Sequence, residues 1–129
     1  MSRAAKPGQQ IEMTGAIPLI SSQRYLDPAT VARKARTFKV FVVRIVTCEL
    51  RGRVYRVLVD GHHNLAAARL AGVEPAWRGA NRKLQRAMQE MGPAAFARML
   101  INNLTDADWY DVETGMVVLE LLGTERKFA

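Results

Sequence analysis

One cysteine, Cys48, stands among 129 residues, so neither an intramolecular disulfide nor a thiolate zinc cluster can brace this chain. Its thiol is expected to be reduced and partly buried. No apolar run approaches the ~18 residues that a bilayer-spanning helix demands, and the opening MSRAAKPGQQ lacks the apolar core of a secretion signal. A cytoplasmic location without membrane association is therefore expected. Also missing are a GxxxxGK[ST] loop, a GxGxxG turn, a GxSxG elbow and an HExxH pair. Their absence removes the commonest NTPase, dinucleotide-binding, hydrolase and zinc-protease readings. No helix-turn-helix pattern stands out, and neither an internal repeat nor a long linker divides the chain.

Acidic residues are scarce in the first part. Residues 1 to 56 carry 11 Lys or Arg against 3 Asp or Glu, and residues 57 to 129 carry 8 against 9, so the net charge of +7 divides into +8 and −1. A one-sided cationic excess is the footprint of a polyanion binder, because each phosphate contact releases counterions. A solvated basic surface that only aids solubility is the plainer alternative. With 49% hydrophobic and 24% charged residues, the composition suits one globular domain with a core of its own. Residues 1 to 10, rich in Ser, Lys, Pro, Gly and Gln, read as a disordered basic tail, and residues 11 to 129 as a single domain.

Ile11 to Ile20 alternates weakly around Gly15 and Pro18, which suits a short edge strand. Asp27-Pro28 then opens a helix that runs to about Thr37, with Asp27 as N-cap and Pro28 in the first helical position. Lys39 to Cys48 and Val54 to Val59 are rich in β-branched residues and flank a polar stretch with Gly52, so they predict an antiparallel strand pair. An alanine-rich helix opens at Asn64 or its neighbours and closes at Gly72. Leu84, Met88 and Met91 mark an amphipathic helix broken at Gly92-Pro93, and Ala94 to Leu104 resumes it. Thr105 with Asp108 resembles a capping box ahead of Trp109, Val112, Met116, Val117 and Leu119, predicting a last helix to about Leu122. The order, a small mixed β-sheet followed by a helical C-terminal half, predicts an α+β fold.

The richest chemistry lies in VLVDGHHNLAAARLAG, residues 57 to 72, where an apolar strand empties into two histidines at a helix start. Such a start carries about half a unit of positive charge and unpaired N–H groups, and so suits a phosphate. Asp60, His62 and His63 add an acid and two imidazoles, and Gly61 lets a ligand approach the backbone. Adjacent histidines point in different directions and seldom ligate one metal together, so the identity of any metal stays open. One histidine could equally pack beneath the helix while the other caps it. Lys34 lies on the first helix beside Arg33 and Arg36, where a solvated cationic face is the simpler assignment. Gln23 follows two serines in a polar loop, and Asn102 and Asn103 end a helix, a common place for Asn. Trp109 and Tyr110 could stack on a base, although the helical spacing around Trp109 favours a core position.

The strand, DGHH turn, alanine-rich helix and closing glycine together resemble the ParB/sulfiredoxin-like superfamily, in which a related turn binds nucleotide phosphates. ISSQRYLDPATVARK, residues 20 to 34, resembles the segment upstream of that turn in ParB-like nucleases. MLINNLTDADWYDVET, residues 99 to 114, is similar to a later ParB segment. The resemblance implies a small mixed sheet packed with several helices. It also implies a phosphate-binding turn at Asp60 to Asn64, with Gln23 and Lys34 as polar upstream partners and Asn103 as a residue holding phosphate or its metal. His62 stands where sulfiredoxins carry their cysteine, which excludes the sulfinic-acid reductase reaction. Asn64 replaces an arginine, and Thr105-Asp106 replaces Gln-Arg, which weakens a CTP-driven clamp. The chain is expected to be a standalone module, since little follows the last matching segment.

On this basis the leading expectation is a nucleotide- or nucleic-acid-binding protein, acting as nuclease or NTPase at the DGHHN turn. His62 or His63 would serve as general acid or base, Lys34 would neutralise phosphoryl charge, and Asp60 would orient an imidazole or Mg²⁺. Gln23, Gly61, Asn64 and Asn103 would hold the phosphate of a nucleotide such as ATP or CTP, and Arg33, Arg36 and Lys39 would contact DNA. A second copy of the chain is a further candidate partner. The alternatives are a DNA-binding or protein-inhibiting factor that has lost catalysis, and a small-molecule kinase.

Overall fold

The computed structural model describes residues 17–124. The basic tail and most of the first edge segment, residues 11 to 16, lie outside the described residues. Strand β1 is Leu19–Ser21, and helix α1 follows at Pro28–Thr37 with Asp27 in extended conformation before it. The β-branched stretches form β2 (Val42–Leu50) and β3 (Arg53–Asp60), an antiparallel pair turned at Arg51-Gly52. Helix α2 (His62–Ala71) starts two residues before Asn64 and ends on Gly72 in the left-handed conformation. A short strand β4 (Ala76–Arg78) leads to α3 (Arg82–Met91) and α4 (Pro93–Asn102), which part at Gly92-Pro93.

The sheet order β4-β2-β3-β1 continues to β5 (Tyr110–Asp111) at the far edge. β1 runs parallel to β3 and β4 parallel to β2, while β2–β3 and β1–β5 are antiparallel. The fold is therefore α+β with a mixed sheet, as the order of patterns predicts. Alternation along the strands sends Val46, Tyr55 and Val57 to one face, where Phe96 and Ile101 of α4 and Leu84 and Met88 of α3 cover them. Leu19, Val43 and Leu58 point to the other face and meet Leu65 of α2. There Ala67 and Ala68, fully buried, allow α1 to approach closely through Val31 and Ala35.

The expected last helix does not form. Thr105 and the residues after it bond to the chain at 21–25 instead: Thr105 N–H donates to Ser22 Oγ, and the amides of Asp106 and Ala107 donate to the Ser22 carbonyl. Asp111 then turns the chain by accepting from the amides of Glu113 and Thr114, and Tyr110 bridges Val117 as in a small hairpin. Only Leu119–Leu121 is helical, as one 3₁₀ turn. Of the apolar residues whose spacing imitates a helix, Trp109 enters the core and Val112 packs against the cluster on the other face of the sheet, whereas Met116, Val117 and Leu119 are exposed. β4 went unpredicted because three residues carry no readable period.

Candidate functional site

β3 is apolar and buried at Val57 and Leu58, and its last residue, Asp60, emerges into solvent. Gly61 follows at φ 91°, ψ 30°, and α2 begins immediately after it. A Cβ on Gly61 would lie 2.6 Å from the Val42 carbonyl oxygen, so the turn is pressed against β2. This close approach delivers His62, His63 and Asn64 to one place. They line a shallow, mostly polar depression of about 220 Å³ with Gln23, Lys34, Asp60 and Gly61.

Each side chain is held by a partner outside the turn. Asn64 Nδ2 donates to the Val42 carbonyl at 2.9 Å, and its Oδ1 accepts from Lys34 Nζ at 2.8 Å. Asn64 thus ties α1 to β2 and fixes the lysine at the rim. His63 Nε2 accepts the Asp27 amide at 3.1 Å, which assigns the ring proton to Nδ1. His62 Nε2 lies 3.0 Å from Ser21 Oγ, and the Gln23 amide donates to the same hydroxyl at 3.0 Å. Tyr110 Oη donates to the Gln23 carbonyl at 2.7 Å, and the Asp106 carboxylate accepts the amides of Arg24 and Tyr25 at 2.7 and 3.1 Å.

Burial pushes the His62 imidazole below its usual pKa; Asp60 and Asp106 act in the opposite sense, and His63 adds to the lowering. Burial thus favours the neutral form of the His62 imidazole. A second cleft of about 300 Å³ shares Gln23 and His62 with the depression and is lined by Leu26, Leu58, Leu65 and Tyr110 among others. A larger one, about 630 Å³, lies between β2 and the α3–α4 pair, remote in chemistry: it holds Met88, Phe96 and the half-buried Cys48, whose thiol burial pushes up to about 11. That thiol is protonated at neutral pH.

Of the residues singled out by sequence, Gln23, Lys34, Asp60, Gly61, His62, His63 and Asn64 share the depression. Asn103 does not line it; it stands at the C-cap of α4 with φ −110°. Arg33, Arg36 and Lys39 are exposed on and beyond α1, outside the lining. Sequence reading missed the positioning roles of Ser21 and Asp106, and it gave Asp27 only a capping role and Tyr110 only a stacking one; the serine pair before Gln23 was the one local signal. Among the described residues no group of three or more His, Cys, Asp or Glu is placed to hold a metal ion. Asp60 alone would hold Mg²⁺ only jointly with phosphate oxygens and water, the manner in which that ion commonly binds. No protein-family model, curated protein or solved structure matches this chain.

Proposed function

We propose that the chain binds the phosphate group of a nucleotide or nucleic acid in the depression at the Asp60–Asn64 turn. One observation carries the reading: a lysine, two imidazoles and two carboxamides converge on the N-terminus of α2, whose first turn holds no acidic side chain. Unpaired helix amides and the helix dipole favour an anion there. Lys34 Nζ spends one donor on Asn64 and keeps two for a ligand. The Asp60 carboxylate opposes a bare phosphate, and Mg²⁺ bridging the two would remove that conflict. The motif resemblance to ParB/sulfiredoxin-like proteins supports the same ligand.

Hydrolysis of a phosphodiester or phosphoanhydride is the second reading, favoured by His62 beside Asp60, whose burial favours the neutral imidazole, since a general base must be unprotonated at working pH. The test is thermal denaturation with inorganic phosphate, ATP and CTP, each with and without Mg²⁺, while phosphate release is followed in the same samples. A ligand at 100 times its Kd adds about 2.7 kcal/mol of stability. Lys34→Ala should abolish the ligand-induced shift and lower the ligand-free melting temperature only by the loss of its hydrogen bond to Asn64, about 1 kcal/mol. Replacing His62 and His63 together by Ala should end any turnover. Absence of a shift with every ligand would overturn the binding reading.

A further inference from the structure

Rows of register partners extend the site across the sheet. Arg44 of β2 pairs with Asp60 on one side and with Arg78 of β4 on the other. The β2–β3 register is irregular between Arg44 and Ile45, and beyond it the Cα atoms of Asp60, Arg44 and Arg78 stand in a row across three neighbouring strands, two inter-strand steps or about 10 Å long. Arg44 Nη1 donates to the Gly79 carbonyl at 2.9 Å, which places its charge against the connection from β4 to α3. Three residues on, α3 opens with Arg82 and Lys83 and carries Arg86 one turn later, with no acidic residue in its first turn.

Arg78, Arg82, Lys83 and Arg86 are all exposed, and among the described residues none of them pairs with a carboxylate. Of the nearby acids, Glu74 accepts from Trp77 Nε1, and Glu90, one turn beyond Arg86 on α3, makes no ion pair with it. Four unpaired cations within nine residues, joined by Arg44 to the depression, form a path and not a scattered solubility surface. A polyanion fits it. A flexible strand can follow the row and dip one phosphate into a recess of about 220 Å³, whereas a stiff duplex spans a recess of that size.

We propose that the row from Asp60 over Arg44 and Arg78 to Arg82, Lys83 and Arg86 is a track for the phosphate chain of single-stranded nucleic acid, one phosphate of which enters the depression. This rests on the phosphate-binding reading of that depression and selects a nucleic-acid strand over a mononucleotide. It also moves the principal cationic contact from α1 to β4 and α3.

The experiment is fluorescence anisotropy of a labelled single-stranded oligodeoxynucleotide with the full chain, titrated over a range of salt. Each phosphate contact contributes about 0.7 to the slope of log affinity against log salt for a single strand. The Arg82→Ala, Arg86→Ala double variant should therefore lower the slope by about 1.4, and Arg33→Ala with Arg36→Ala should leave it unchanged. Both pairs are exposed, so equal melting temperatures confirm that folding is intact. An unchanged slope in the α3 variant, a loss confined to the α1 variant, or equal affinity for the matching duplex overturns the track. If inorganic phosphate stabilises the protein while oligonucleotide binding ignores Arg82 and Arg86, the track falls and the depression stands. If oligonucleotide binding needs Arg82 and Arg86 but is indifferent to Lys34→Ala, the joined path falls with the reading of the depression.

Discussion

Gly61 is constrained twice. Its φ of 91° is one that L side chains avoid, and its Cβ position is occupied by the Val42 carbonyl at 2.6 Å and Val43 Cα at 3.0 Å. Gly72 is constrained once: φ is 73°, but nothing lies within 4 Å. Gly72→Ala should then cost about 1 kcal/mol, the strain of the left-handed conformation alone, whereas Gly61→Ala should cost about 2 kcal/mol or more because backbone must also move. Urea midpoints at constant m separate the two. Equal losses would show that β2 yields, and that the turn is not held by contact. At this scale the sequence was most informative where a residue has a backbone role. Gly61, Gly72 and Pro28 announce their positions because few other residues tolerate them. The partners of His62 and His63 were illegible, since Ser21 and Asp27 are distant in the chain and of ordinary type.

Helices α1 to α4 and the β2–β3 pair follow from local signals, namely caps, glycine stops and β-branched runs, that agree with the packing each element receives. Residues 105 to 121 do not, because the bonds that tie Thr105, Asp106 and Tyr110 to the loop after β1 span 81 to 87 residues of chain. That long-range pairing gives this segment a role at the site. Asp106 holds the amides of Arg24 and Tyr25, and Tyr110 holds the carbonyl of Gln23, so the β5 segment sets the loop that forms one wall of the depression. Arg24 also lies over the Tyr110 ring at 4.0 Å, which binds the two strands of chain together a further time. Asp106→Ala should therefore loosen residues 22 to 26 as a unit. The expected result is loss of hydrogen-exchange protection at the Arg24 and Tyr25 amides with protection of β2 and β3 retained. A uniform loss over the sheet would mean that Asp106 stabilises the whole fold and not this loop.

Across the molecule, the two ends of β3 serve separate purposes. Asp60 ends the strand at the depression, and Arg53 begins it about 24 Å away by strand rise. At that far end the chain closes on itself: Arg51 donates to the carbonyls of Glu120, Leu122 and Gly123, and Glu120 accepts from both Arg53 and Tyr55. Tyr55 is nearly fully buried, and burial, followed by the Glu120 carboxylate, pushes its phenol up to about 12, so it remains a donor throughout the working range. Leu121, 3% exposed, plugs the core beneath this closure. Leu121→Ala removes buried methyls where the surrounding sheet cannot collapse freely, and should cost about 2–5 kcal/mol in a urea titration. The depression shares no side chain with that cluster, so under native conditions the affinity for phosphate should stay within about twofold, the usual additivity of distant sites. Isothermal titration with phosphate on the variant, set beside its urea midpoint, decides the point. A fall in affinity that tracks the fall in stability would mean that the closure at Glu120 and the turn at Gly61 belong to one cooperative unit, coupled through the strands that reach both.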